Sequence, residues 1–273
     1  PSCERYVGTD FSKVALDYVA RYREPLGLPQ VELARRWADD FEGVEPDSLD
    51  CVVLNSIILD FPSMDYLMEV IEGSLEAVVP GGTIFLGDVR GLPMLNAYQS
   101  SVQLFQAADD LSVEALASRV RRLLRHEEEL VIDPRFFAWL KTRMSKIGCV
   151  QIQLKRGDFT NELNAFRYDV TLHVGAASVM AEEEAIWLDW RSEGLTLDSL
   201  RERLEAGSEQ GLLCLRAVPN ARVLDAIRCA TRIAEPGDLE DAAALRSALE
   251  LAREQEPGCN PEDLWALGES LGL

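Results

Sequence analysis

Short apolar runs alternate with longer stretches of helical spacing along residues 1–175. Residues 5–9 predict a strand that ends in Asp10. Ala15, Tyr18, Val19 and Tyr22 then recur at helical spacing. Residues 31–33 start a second strand, followed by Ala38-Asp39-Asp40-Phe41. Cys51-Val52-Val53-Leu54 is continuously apolar, which suits a strand covered on both faces of a parallel sheet, and Asn55-Ser56 follow it. Leu67, Ile71, Leu75 and Val78 make a helical stripe that stops at Pro80-Gly81-Gly82, read as a turn. Residues 83–86 are a further strand, ending in Gly87-Asp88-Val89-Arg90. Strands separated by helices in this way imply βαβ units.

From about Leu92 to Met144 the chain reads as mostly helical, with Val113, Leu116, Val120 and Leu123 on one face and Arg119, Arg121, Arg122 and Arg125 on a solvated one. Residues 150–154 and 167–174 alternate apolar and polar, which predicts a strand pair at a sheet edge. Beyond residue 175 the pattern turns helical. Leu197, Leu200 and Leu204 form one stripe, residues 212–218 a strand, and Val223, Ile227 and Ala230 the face of a helix opened by Pro219-Asn220. Residues 242–251 are an alanine-rich helix, and Asn260-Pro261 reads as an N-cap with proline at the first helical position.

Composition narrows the function. The chain has 27 Lys+Arg against 47 Asp+Glu, a formal charge of −20. A surface this acidic argues against nucleic acid and against a polybasic membrane contact. Residues 176–273 hold 9 Arg, no Lys and 20 acidic residues, so more than half of the excess lies there. The six cysteines show no CxxC spacing and only His126 and His173 could join them, so no metal site is expected. Cys51 and Cys149 read as buried thiols, and a reducing, cytoplasmic setting is expected. No signal peptide or apolar run long enough to span a bilayer is evident.

Ligands of open α/β sheets bind at the carboxyl ends of strands. That singles out Asp10, Asp39-Asp40, Asn55-Ser56 and Asp88-Val89-Arg90. Asp10 suits ribose hydroxyls or, alternatively, a helix N-cap. Asp39 or Asp40 suits an adenine amino group with Phe41 packed on the ring; the alternative is a solvated acidic loop. Asn55 and Ser56 need polar partners from a ligand or a neighbouring loop. Asp88 and Arg90 suit a structural ion pair as well as a site. His173 lies in a strand pattern and reads as a core histidine.

The segments YVGTDFS (6–12), ADDF (38–41), DCVVLNS (50–56), FPSMDYL (61–67), PGGTIFLGDVR (80–90) and NEL…FRYDV (161–170) occur in one order. Together they resemble a class I S-adenosylmethionine-dependent methyltransferase, and more closely the methyltransferase domains embedded in non-ribosomal peptide synthetases. The resemblance implies a Rossmann-like α/β sheet, mostly parallel with an antiparallel edge strand, over residues 1–175. It also implies an α-rich segment over 176–273, with WLDW (187–190), VPNAR (218–222) and NPEDLWALGESLG (260–272), leading towards the rest of the adenylation domain. It implies S-adenosylmethionine as cofactor, and as acceptor an aminoacyl group on a carrier-protein phosphopantetheine arm, methylated at nitrogen. By the same resemblance Asp10 holds the ribose, Asp39 with Asp40 the adenine, and Asn55-Ser56 lie near cofactor and acceptor. Asp88, Arg90, Asn161 and Glu162 surround the acceptor, and Glu162 or Asp88 is expected to take its proton.

Three departures stand out. The family's opening strand and glycine-rich loop are expected immediately before Pro1, and without them the second and fourth strands of the family's sheet lack a common neighbour. Weak cofactor binding by these 273 residues alone is the expectation. Leu59 and Asp60 stand where polar and aromatic residues are expected, and Thr160 where a histidine is expected. They motivate a rival expectation, a degenerate methyltransferase-like spacer or docking module. A dinucleotide oxidoreductase is a third possibility that Asp10 alone allows; an upstream G-x-G-x-x-G loop would favour it.

Overall fold

A computed structural model describes residues 3–23, 25–159, 161–175, 185–206 and 211–273. Thr160 lies outside them. The first strands are β1 (Tyr6–Asp10) and β2 (Val31–Arg35), parallel and joined by helix α1 (Lys13–Arg23). Next come β3 (Leu49–Asn55), α2 (Met64–Ala77) and a 14-residue β4 (Val78–Gly91). Helices α3 (Leu95–Gln106), α4 (Val113–Arg125) and α5 (Arg135–Arg143) follow, with a two-residue strand β5 (Val131–Ile132) before the last. The core ends with β6 (Ile147–Leu154), the short α6 (Glu162–Phe166) and β7 (Arg167–Val174).

The main sheet has the order β3-β4-β7-β6, with β5 paired to β4. Strands β3, β4 and β5 are parallel, whereas β7 runs antiparallel to both β4 and β6. The antiparallel strand therefore sits inside the sheet and β6 forms the edge. Strand β7 shows why it is central: Tyr168, Val170, Leu172 and Val174 are buried while the residues between them are half-buried. They meet Ile84, Leu86 and Val89 of β4, Leu67, Val70, Ile71 and Leu75 of α2, and Phe137 and Leu140 of α5 in one apolar core. Each such fully buried side chain stabilises the fold by roughly 1.5–3 kcal/mol. Ser63 caps α2 by accepting the Tyr66 amide at 3.2 Å, which fixes where the stripe begins.

Among the described residues β1 pairs only with β2, and β3 only with β4. The expectation that β3 is covered on both faces is corrected: Val53 is 53% exposed and Cys51 is exposed, whereas Val52 and Leu54 on the opposite face are half-buried and buried, so only one face of β3 is covered. Cys149 is half-buried. Pro80-Gly81-Gly82 is not a turn before a strand but an irregularity inside β4, where the pairing register jumps from Leu49–Val78 to Cys51–Thr83. Gly81 has φ +92°, and a side chain at Gly82 would stand 2.6 Å from the Asp50 carbonyl, so both positions need glycine.

The C-terminal part contains β8 (Ile186–Asp189) and β9 (Leu213–Arg216) as a parallel pair, with α7 (Leu197–Glu205), α8 (Leu224–Ala234), α9 (Ala242–Gln255) and α10 (Pro261–Leu271). Strand β8 breaks the helical character expected there. Helix α8 buries Leu224, Ala226, Cys229 and Ile233, and leaves Ile227 exposed, so its inner face is turned from the one expected. Cys229 and Ile233 join Ala242 and Leu245 of α9 with Leu104 of α3 and Val113, Leu116, Ala117 and Val120 of α4 in a second apolar core. Arg119, Arg121, Arg122 and Arg125 are exposed, as the charge pattern predicts. No described helix is long and apolar enough to cross a membrane.

Candidate functional site

The carboxyl ends of β3 and β4 meet in a polar cluster. Ser56 leaves β3 with φ +58° and Asp88 interrupts β4 with φ +61°, two left-handed non-glycine residues on neighbouring strands. Such conformations cost about 1–2 kcal/mol each and persist where the surroundings enforce them. Here the surroundings are hydrogen bonds. The Ser56 hydroxyl donates to the Asp88 carboxylate, the Ser56 amide donates to the Gly87 carbonyl at 3.1 Å, and the Asp88 amide donates to Asp169 at 2.9 Å. Lys155 Nζ lies 2.8 Å from Asp88 and 3.0 Å from Asp169. Asn55 donates to Ser56 at 3.2 Å, and its Oδ1 occupies the space a side chain at Gly87 would need.

Burial alone raises the pKa of Asp88, but hydrogen bonds from Lys155 and Ser56, with the charges of Lys155 and Arg167, outweigh it and hold the carboxyl below its ordinary range. Lys155 is pushed down by burial and, more strongly, up by the two carboxylates, so its ammonium is reinforced. The alternative reading of Asp88 and Arg90 as an ion pair is thus corrected. Asp88 pairs with Lys155, while Arg90, buried, pairs with Glu127 at 2.9 Å and Glu129 at 2.5 Å and stacks 5.5 Å over the Tyr98 ring. Two residues apart across a local irregularity, the two side chains belong to different networks.

The second network lines a small pocket with Arg90, Met94, Tyr98, Glu162, Phe166 and Arg167. Glu162 accepts from the Tyr98 hydroxyl at 3.3 Å and from Arg167 at 3.1 Å. The buried Nε of Arg167 has no hydrogen-bond partner among the described residues. Asn161 caps α6, accepting the Asn164 amide at 2.9 Å. Glu162 and Asn161 thus sit at one helix start, with Glu162 turned to the Arg90 side of the sheet.

The remaining candidates lie around β1 and β2. Asp10 accepts the Ser12 amide at 2.7 Å through Oδ1, and Ser12 in turn accepts the Ala15 amide at 3.3 Å. Ser12 therefore caps α1, and the alternative reading of Asp10 as the helix N-cap is corrected: Asp10 holds the turn before the helix, and its Oδ2 accepts no hydrogen bond among the described residues. Asp39 accepts the Tyr66 hydroxyl of α2 at 2.7 Å, and Asp40 accepts the Glu42 amide at 3.0 Å. Burial, then the Asp39 contact, raises the Tyr66 pKa. Phe41 rests on Gly73 of α2, where a side chain would come within 2.5 Å of the ring. Phe11 stacks on Trp37 at 4.8 Å, both largely exposed. Asp10, the Asp39–Phe41 group and the Ser56–Asp88 cluster thus stand at the ends of separate strands. Lys155, Asp169, Tyr98, Tyr66 and Arg167 were not singled out from sequence, although FPSMDYL and FRYDV contain three of them.

Comparison with known proteins adds the following. No protein-family model matches the chain. Chondramide synthase from Chondromyces crocatus is 42% identical over 98% of this chain, which corresponds to 7% of that protein. Nonribosomal peptide synthetase asqK from Emericella nidulans is 31% identical over 80% of the chain and 9% of its own length. The chain therefore spans less than a tenth of either relative. Among solved structures, the N-methyltransferase NodS from Bradyrhizobium japonicum aligns at 12% identity and TM-score 0.41, over 64% of this chain and 76% of its own. An rRNA methylase from Streptococcus thermophilus aligns at 13% identity and TM-score 0.36, over 63% and 74%. These structural likenesses are too distant to carry a function. The chain thus matches one region of non-ribosomal peptide synthetases along most or almost all of its length, and it folds as an α/β unit on a mostly parallel sheet with one antiparallel strand.

Proposed function

We propose that this region performs S-adenosylmethionine-dependent methyl transfer to the nitrogen of an aminoacyl group held on a carrier-protein phosphopantetheine arm. The reading rests on the polar cluster in which Ser56, Asp88, Lys155 and Asp169 hold two left-handed strand ends side by side where an open sheet binds its ligand. The donor set suits the cofactor: Asp10 keeps a carboxylate oxygen for hydroxyl groups, and Asn55 offers an exposed carboxamide. Asp10 would hold the ribose and Asp39, Asp40 and Phe41 the adenine side, with Asn55 and Ser56 beside the methionine end. The cofactor supplies an electrophilic methyl group; the chain's task is to align a neutral amine with it.

Within this reading Asp88 anchors rather than accepts a proton, because Lys155 and Ser56 oppose its protonation. Glu162 takes the proton, aided by Tyr98, and Arg90 with Asn161 shapes the acceptor side. The adjacent adenylation domain is the proposed neighbour of the 176–273 segment. A spacer role is the second reading, favoured by the full engagement of Arg90 with Glu127 and Glu129.

One experiment separates them. Calorimetry with S-adenosylmethionine is run on the polypeptide as encoded around this chain, together with labelled-methyl transfer to an aminoacyl-carrier protein. Micromolar binding with transfer supports the enzyme, and Glu162→Gln then lowers turnover. Absence of both binding and transfer establishes the spacer.

A further inference from the structure

Lys155 is gripped at both ends. Its ammonium holds Asp88 and Asp169, while its backbone carbonyl accepts from Arg222 Nη1 at 2.5 Å. Arg222 belongs to the VPNAR segment just before α8, and its side chain is 7% exposed. Its Nη2 donates to the Gly157 carbonyl at 2.8 Å and lies 3.5 Å from Glu262. Glu262, in the first turn of α10, accepts the Gly157 amide at 2.8 Å and Arg156 Nε at 3.1 Å. Arg156 also packs 4.5 Å over Trp265 of the same helix. The loop leaving β6 thus has backbone groups of Lys155 and Gly157 satisfied by residues 65, 67 and 105 positions downstream.

Gly157 shows how close the fit is. It has φ +115° and its carbonyl receives both Arg222 and Asn164. Asn164 also donates its carboxamide to the Phe159 carbonyl and its amide to Asn161 Oδ1, next to Glu162. Both networks of the candidate site are therefore tied to one loop, and Arg222 with Glu262 holds that loop from the C-terminal helices. A buried guanidinium that spends two donors on backbone carbonyls fixes their positions more tightly than an ammonium could.

We infer that Arg222 is a positioning residue for methyl transfer: by fixing the backbone at Lys155 and Gly157 it sets the Lys155 ammonium on Asp88, with Glu262 as its support, so that the arrangement of the C-terminal helices governs turnover at the strand ends. This rests on the function proposed above.

The test is a double-mutant cycle in the polypeptide as encoded around this chain. Arg222→Met and Lys155→Met are made singly and together, with Arg222→Lys and Glu262→Gln as milder variants and urea midpoints measured for all. Arg222→Met is expected to lower kcat for methyl transfer about tenfold with the cofactor KM changed less than about twofold, and to have less than about a twofold effect when Lys155 is already Met, as expected of residues that share one network. Arg222→Lys recovers part of the loss, and Glu262→Gln gives a smaller loss of the same kind. Hydrogen exchange supplies a readout independent of activity: Arg222→Met releases protection of the Asp88 amide, which is bonded to Asp169. Equal loss of kcat in both Lys155 backgrounds, or unchanged kcat and unchanged protection at Asp88, overturns the inference. A parent that transfers no methyl sinks the functional reading alone, and the exchange result then decides whether Arg222 sets Asp88.

Discussion

Lys155→Met removes an ammonium 2.8 Å from Asp88 and 3.0 Å from Asp169. The three side chains are only 20%, 13% and 18% exposed. At an effective dielectric near 20, one unit-charge contact at about 4 Å is worth roughly 4 kcal/mol before desolvation, and much of that is returned when the lysine is hydrated. What is not returned is the cost of two carboxylates facing each other without a cation. Removing one partner of a buried pair costs about 3–5 kcal/mol, and the partial exposure here places the loss at the lower end, about 3 kcal/mol. The assay is urea unfolding at fixed pH, with an unchanged m-value as the check that the unfolded state is the same. The pH dependence has a definite sign. The lowered pKa of Asp88 stabilises the parent above the ordinary carboxylate pKa, and that stabilisation is lost as pH falls through the folded value. The raised pKa of Lys155 stabilises it below the ordinary lysine range, and that is lost as pH rises through the folded value. The Lys155→Met penalty is therefore full near pH 7 and shrinks as pH falls below the ordinary carboxylate range, through the lowered value of Asp88. A loss below about 1 kcal/mol at pH 7, or a loss that stays the same below that range, refutes the argument.

Ser56 offers a separation of backbone from side chain. Ser56→Gly removes the hydroxyl to Asp88 but relieves φ +58°, whereas Ser56→Ala keeps the strain and loses the bond; Ala is expected to be less stable than Gly by about 1 kcal/mol in urea unfolding. At Gly87 a methyl group would stand 2.0 Å from Asn55 Oδ1, so Gly87→Ala displaces that carboxamide and is expected to cost about 1–3 kcal/mol and to weaken S-adenosylmethionine binding in calorimetry. Alkylation at pH 8 followed by mass spectrometry is expected to label exposed Cys3 and Cys51 first and Cys229 last, since burial pushes the Cys229 thiol up to about 12.

The parallel strands and α2 were legible because their apolar spacing coincides with burial: Leu67, Ile71 and Leu75 are all inside. The strand ends were legible by topology, since Asn55, Ser56 and Asp88 stand where a parallel sheet exposes its carboxyl ends. Their partners were not. Lys155 follows an edge strand and reads as any surface lysine until β7 brings Asp169 beside Asp88, and β7 pairs with β4 from 77 to 90 positions away, Arg90 with Arg167 and Thr83 with His173. Arg90 and Asp88 looked like a local pair because two residues separate them, yet the irregularity between Leu86 and Val89 sends them to different networks. The exposure of Cys51 was hidden for a related reason: an apolar run does not reveal whether both faces of a strand are covered. The face of α8 was misjudged because Ile227 and Ile233 fit helical spacing almost equally well, and only the position of α3, α4 and α9 selects between them.

The second apolar core has a consequence for anyone exchanging parts between related synthetases. Leu104, Val113, Leu116 and Val120 come from before residue 175, whereas Cys229, Ile233, Ala242 and Leu245 come from after it. A chimaera joined in that interval would marry the helix surfaces of two ancestors, and a shortened chain stopping there would present its Val113, Leu116 and Val120 stripe to water. Compatible junctions lie instead on either side of the whole paired set, so that the helices of residues 95–125 and 224–255 are inherited together.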